Sequence, residues 1–221
     1  MGVRVEFFHA DSRRGRVERK KILNAKNSTT TKSYYEFGLD YFDGPASQIG
    51  YGGYAYDGRH EGACATIINH FGLRSGARIL DFGCAKGFLV TEFRKLGMDA
   101  WGLDVSEYAI NNAEPETLPF LQLAPAYLPA FPQPLFEEHW DLVITKDVIP
   151  HLPLSEVEAL FEHLNGNRIP TFASIQCVQD SESKNLLQKW DPTTKIVWTS
   201  AEWEVWLGKY SEIHYELTEL F

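Results

Sequence analysis

"RILDFGCAKGFLVTEF" (78–93) sets a short apolar run directly against a turn of glycine, alanine and cysteine, and a helical pattern follows at once. Strand, tight turn and helix in immediate succession open a βα unit, in which a ligand meets the backbone at the carboxyl end of the strand. A phosphate loop of the form G-x-x-x-x-G-K-[ST] is excluded: Gly83 and Gly87 are four apart, Lys86 precedes the second glycine, and no hydroxyl follows. The G-x-G-x-x-G spacing that brings amides to a dinucleotide pyrophosphate is not supplied either. What remains is acidic-x-Gly-x-Ala-x-Gly, with Asp81 ending the strand, Gly83, Ala85 and Gly87 at the tight positions, and Cys84 a small spacer.

An acidic side chain beside the turn repels a pyrophosphate and suits a cationic ligand carrying an amino acid group. Asp104 ends the next strand, where a carboxylate accepts two hydrogen bonds from vicinal ribose hydroxyls. The pair points to an adenosine-type ligand without a diphosphate, S-adenosylmethionine. The alternative is an ordinary βαβ turn in which Asp104 caps the next helix.

Outward from this unit, strands are expected at "DAWGLD" (99–104), "PFLQL" (119–123), "WDLVIT" (140–145) and "TFASIQCV" (171–178). Helices are expected over 61–71, over 88–96, from the cap Ser106, and at "EVEALFEHL", with Ser155 and Glu158 forming a capping box. "TKIVWT" and "SEIHYELTEL" read as an antiparallel pair around the helix "SAEWEVWLG". The expected fold is α/β: a Rossmann-like, mostly parallel sheet with helices on both faces and a C-terminal antiparallel strand. Residues 33–60 have neither periodicity but are too aromatic for solvated coil, so they read as a cap over the main domain. The division expected is 1–60 for arm and cap and 61–221 for the ligand-binding domain.

With 44% apolar residues in a chain of 221, a packed α/β domain is expected. Cys64, Cys84 and Cys177 have neither paired nor metal-type spacing, and read as reduced thiols. No apolar stretch is long enough to span a bilayer, and "MGVRVEFFHADSRRGRVERKK" has no signal core, so a cytoplasmic protein without membrane partners is expected. Through Ser33 nine basic residues face three acidic ones, against a formal charge of −9 for the whole chain. The acidic remainder argues against nucleic acid as partner. The basic arm reads as a solvated N-terminus, or else as a contact for an anionic acceptor or partner.

"ILDFGCAKGFLV", "GLDVSEYAI" and "WDLVITKDVIPHLP" together resemble the class I S-adenosylmethionine-dependent methyltransferases, over roughly Tyr51 to Ile175. The form "GCAKGF…SEYAI", after a "YGGY" segment, resembles the bacterial branch acting on small molecules and sugars in biosynthetic pathways. The resemblance implies that Gly83, Ala85 and Gly87 lie against the methionine part, Asp81 near its ammonium, Asp104 on the ribose and Val105 on the adenine. Lys146 would contribute backbone at the methionine end. "APA" (124–126) falls where the family has an acidic residue followed by alanine; Pro125 takes the acidic position and Ala126 the alanine.

Methyl transfer from a sulfonium requires alignment and exclusion of water, and for an oxygen acceptor a base. No cluster at ligand spacing calls for a metal. Asp147 and His151, at the end of the fourth main strand, are the candidate bases; the competing role is bracing of the loop and next helix. Tyr51, Tyr54 and Tyr56 are candidates to close over the sulfonium, and Arg59 to hold the methionine carboxylate. Trp190, Trp198, Trp203 and Trp206 are expected in the core or the acceptor wall. The reading is methyl transfer to an oxygen of a small molecule or sugar, with small-molecule N-methylation or non-catalytic cofactor binding as alternatives.

Overall fold

A computed structural model describes residues 1–8, 16–25, 30–125 and 139–221. Seven described strands form one sheet: β1 (Val3–Arg4), β2 (Arg78–Phe82), β3 (Asp99–Asp104), β4 (Leu121–Leu123), β5 (Leu142–Lys146), β6 (Thr171–Cys177) and β7 (Ile213–Glu219). Their order is β1-β7-β6-β5-β2-β3-β4, and every pairing is parallel. A strand buried on both faces sends alternate side chains to opposite sides. In β5, Leu142 and Ile144 enter one apolar cluster and Val143 the other.

The first cluster packs beneath α4 (Glu61–Phe71) and α5 (Phe88–Lys95), through Cys64, Ile67, Leu89, Val90 and Phe93. The second packs beneath α7 (Leu154–Gly166), whose Val157, Leu160, Phe161 and Leu164 recur at helical spacing. Chain direction across the sheet reverses between β2 and β5, so their carboxyl ends leave the crevice where such folds bind ligands.

Four features differ from expectation. The C-terminal strand is not antiparallel: β7 runs parallel to β6 from Thr171↔Ile213 to Cys177↔Glu219. The intervening chain carries two helices, α8 (Ser181–Trp190) and α9 (Ser200–Leu207), and a helical crossover returns the chain to the starting end of the sheet. "TKIVWT" forms no strand and makes one bridge, Val178↔Thr199. Ser155 is not a cap, because Pro153 holds the N-cap position of α7 and Ser155 falls within its first turn. The arm is not wholly solvated: it forms α1 (Arg16–Asn24), where Arg19 is 6% exposed and donates to the Leu220 carbonyl.

Residues 30–60 include α2 (Lys32–Tyr35) and α3 (Leu39–Phe42). Tyr34, Tyr41, Phe42 and Ile49 pack with Leu187, Trp190, Leu220 and Phe221. Among the described residues no helix is long and apolar enough to cross a membrane.

Candidate active site

After β2 the backbone passes through three left-handed positions, Gly83 at φ 83°, Ala85 at φ 49° and Gly87 at φ 74°. Gly83 cannot carry a side chain, since a Cβ there would meet Val148 at 2.1 Å. Ala85 holds a conformation that costs an L-residue roughly 1 kcal/mol, and its amide donates to Asp104 Oδ2 at 2.7 Å. Asp104 Oδ1 accepts from the Ser106 amide, also at 2.7 Å. Asp104 therefore ties the turn to the start of α6 (Glu107–Asn111), but it does not cap that helix as the alternative reading has it: the N-cap is Ser106, whose side chain accepts from the Ala109 amide. The carboxylate keeps accepting capacity beyond these bonds, and the side chain lines a cavity of about 360 Å3. Burial pushes its carboxyl up, against hydrogen bonds from Ser106, Ala85 and Val105.

Asp81, next to last in β2, is 2% exposed and lines the same cavity. Its Oδ1 accepts no hydrogen bond among the described residues. Burial, with the Asp104 charge adding and Lys146 opposing, raises its pKa to about 7. A buried carboxylate with an unmet acceptor is a site for a cationic donor. Gly83, Cys84, Ala85 and Val105 also line this cavity. Gly87 does not: it caps α5 without a side-chain contribution and packs where a Cβ would meet Leu121 at 2.8 Å. Ala126 lies outside the described residues, while Ala124 of the same segment lines the cavity.

The cap forms the opposite wall through Phe37, Phe42, Tyr51 and Tyr54. Tyr54 stacks on Phe88 with centroids 4.6 Å apart, and Phe42 on Tyr108 at 6.4 Å. Lys86 Nζ donates to Asp43 Oδ2 at 2.6 Å, Tyr108 donates to the same oxygen, and the Tyr54 amide donates to Oδ1. Partial burial pushes the Asp43 carboxyl up, but these donors outweigh it and hold it below the usual range. The turn is thus latched to the cap. Tyr56 faces α5 instead, donating to Glu92.

At the end of β5, Asp147 adopts φ 59°, accepts from Lys146 Nζ at 2.6 Å and from Ser174 Oγ at 3.3 Å. Lys146, Asp147 and His151 all line the larger cavity. Thr193 Oγ1 donates to Asp191 Oδ1 at 2.5 Å and lies 2.9 Å from His151 Nδ1. With the Thr193 proton on Asp191, Nδ1 carries the imidazole proton and Nε2 is the basic atom. Nε2 lies 4.0 Å from Asp191 Oδ2, close enough for the carboxylate to stabilise an imidazolium. Tyr41 donates to the same Oδ2 at 3.3 Å.

A second cavity, of about 130 Å3, shares Tyr41, Tyr51, Tyr54, His60, Lys146 and Asp147 with the first. Arg59 lines this smaller cavity only, its Nε donating to both Asp57 oxygens at 2.9 Å. Trp190 also faces it, whereas Trp203 is fully buried and Trp198 and Trp206 pack against the core. Asp191, Thr193, Tyr41, His60 and Gln176 escaped sequence reasoning. His60 has its pKa drawn down to about 4 by burial, then by Lys146 and Arg59, and stays neutral at physiological pH. Among the described residues no group of three or more His, Cys, Asp or Glu is placed to hold a metal ion.

A family model described as a methyltransferase domain matches residues 56–207. Among solved structures, the YcgJ protein of Bacillus subtilis is 16% identical over 66% of this chain and 65% of its own, with a TM-score of 0.46. A SAM-dependent methyltransferase of Archaeoglobus fulgidus is 20% identical over 66% of each chain, with a TM-score of 0.45. The glycopeptide N-methyltransferase MtfA is 17% identical over 52% of this chain and 47% of its own, with a TM-score of 0.38. No curated protein matches.

Proposed function

Since this chain belongs to the methyltransferase-domain family, we propose that it moves a methyl group to an oxygen of a small molecule or sugar. The methyl donor is S-adenosylmethionine, which when bound supplies a methyl group already activated on a positively charged sulfur. The observation that carries the reading is Asp81: a buried carboxylate oxygen with no hydrogen bond among the described residues, facing a cavity of about 360 Å3. That volume lies in the ordinary range for small-molecule sites, roughly 300–1,000 Å3. The donor's ammonium is the complement Asp81 lacks. Asp104 keeps accepting capacity for a ribose hydroxyl, and exposed Val105 offers an apolar surface for the adenine.

His151 is the base in this reading. His151 lines the larger cavity and Asp191 the smaller one, so the pair bridges both. An acceptor hydroxyl at the shared wall gives its proton to Nε2, and the resulting imidazolium faces Asp191. Asp147, engaged by Lys146 and Ser174, braces the strand end. The aromatic cap, latched through Asp43 and Lys86, excludes water.

Incubating the purified chain with labelled S-adenosylmethionine and a panel of hydroxyl- and amine-bearing small molecules tests this. Methylated oxygen is expected; transfer confined to amines contradicts the oxygen assignment, and donor that is bound but never consumed contradicts catalysis.

A further inference from the structure

We infer that the smaller cavity, over the carboxyl ends of β5, β6 and β7, is the acceptor subsite and takes one neutral six-membered ring bearing hydroxyl groups. The inference rests on the methyl-transfer reading and names its acceptor class.

Size limits the occupant to one ring. The cavity measures about 130 Å3, and a cavity of roughly 150 Å3 in another protein accommodates benzene. Its walls are flat: Phe8, Tyr34, Tyr41, Tyr51, Tyr54 and Trp190 all face it. Such faces receive an aromatic ring, or the C–H face of a pyranose, equally well.

The occupant must also donate hydrogen bonds. Gln176, on β6, lines the cavity, and its buried Oε1 accepts no hydrogen bond among the described residues. A buried acceptor left unmet costs about 1–3 kcal/mol, and a ring hydroxyl removes that cost.

Charge argues for a neutral ring. The cations that face the cavity are engaged by the protein: Lys146 by Asp147, Arg59 by Asp57, and Arg19 by the Leu220 carbonyl. A phosphate or carboxylate would have to compete with those partners, whereas hydroxyl groups leave them in place. The subsite lies against the donor cavity across six shared residues, which is the adjacency that group transfer needs.

Catechol and methyl β-glucoside, two neutral hydroxylated rings, are the probes, each titrated by ligand-observed NMR into the full chain. Parallel titrations with S-adenosylhomocysteine report the donor site separately. At least one ring is expected to bind, and Gln176→Leu to weaken it about tenfold, one hydrogen bond's worth, while leaving S-adenosylhomocysteine affinity unchanged. Which probe binds tells a planar phenolic acceptor from a puckered sugar. Binding of neither ring, or binding that survives both Gln176→Leu and Trp190→Leu, overturns the subsite even where S-adenosylhomocysteine binds. Ring binding lost in Gln176→Leu without any S-adenosylhomocysteine binding upholds the ring site and overturns the methyl-transfer reading.

Discussion

Asp81, next to last in β2, and Asp104, last in β3, lie on adjacent parallel strands, and the charge of Asp104 adds to burial in raising the Asp81 pKa to about 7. Two acidic groups on one cavity floor are unfavourable without a cation. In the free protein Asp81 is half-protonated near pH 7, and a bound ammonium favours its ionised form, so binding releases a proton below pH 7. Affinity for S-adenosylhomocysteine should therefore fall as pH drops from 8 to 6, by up to about tenfold per unit. Calorimetry at several pH values checks this, and Asp81→Asn should flatten the profile.

The same shift sets a stability change of opposite sense to that of a salt-bridged carboxylate. The folded pKa lies above the unfolded value, so the penalty for burying the charge is full above pH 7 and relieved as pH falls toward the unfolded value. Asp81→Asn should raise the melting temperature of the ligand-free protein at about pH 8 and lose that advantage near pH 5. Thermal melts in the two buffers measure it.

Asp43 gathers Lys86, Tyr108 and the Tyr54 amide, and so holds the cap against the turn. Asp43→Ala should weaken cofactor binding about tenfold, in line with the loss of a charge-assisted hydrogen bond worth roughly 1.5–3 kcal/mol. Hydrogen exchange should accelerate across residues 33–57 and remain slow in β5 and β6. Equal acceleration everywhere would mean that the contact stabilises the whole fold and not the cap.

His151→Ala should lower kcat by about 10²–10⁴-fold with S-adenosylhomocysteine affinity unchanged. Asp191→Asn removes the charge facing the imidazolium and should also lower kcat, with S-adenosylhomocysteine affinity unchanged. Thermal melts of both variants separate this from simple loss of packing; unaltered turnover would remove the pair from the chemistry.

The Asp81–Gly87 turn and the βα order were legible because they are local: spacing, small residues and strand-end carboxylates lie within a few residues of one another. The direction of β7 was not, since a long crossover through α8 and α9 decides it. The start of α8 was hidden too, its capping box formed by Asp180 with Ser183 in place of a Glu or Gln. Asp191, Thr193 and Gln176 meet the site only through tertiary packing, and no periodicity marks them. Arg19 reads as one charge in a basic arm until the C-terminus folds over it.

Titration of the purified chain with S-adenosylhomocysteine, alongside Asp81→Asn, tests the central claim most directly: the cavity at the Asp81–Gly87 turn is the donor site. One saturable site per chain is predicted, weakened at least about tenfold in the variant by loss of a charged partner. No saturable binding, or equal binding by both proteins, would contradict it.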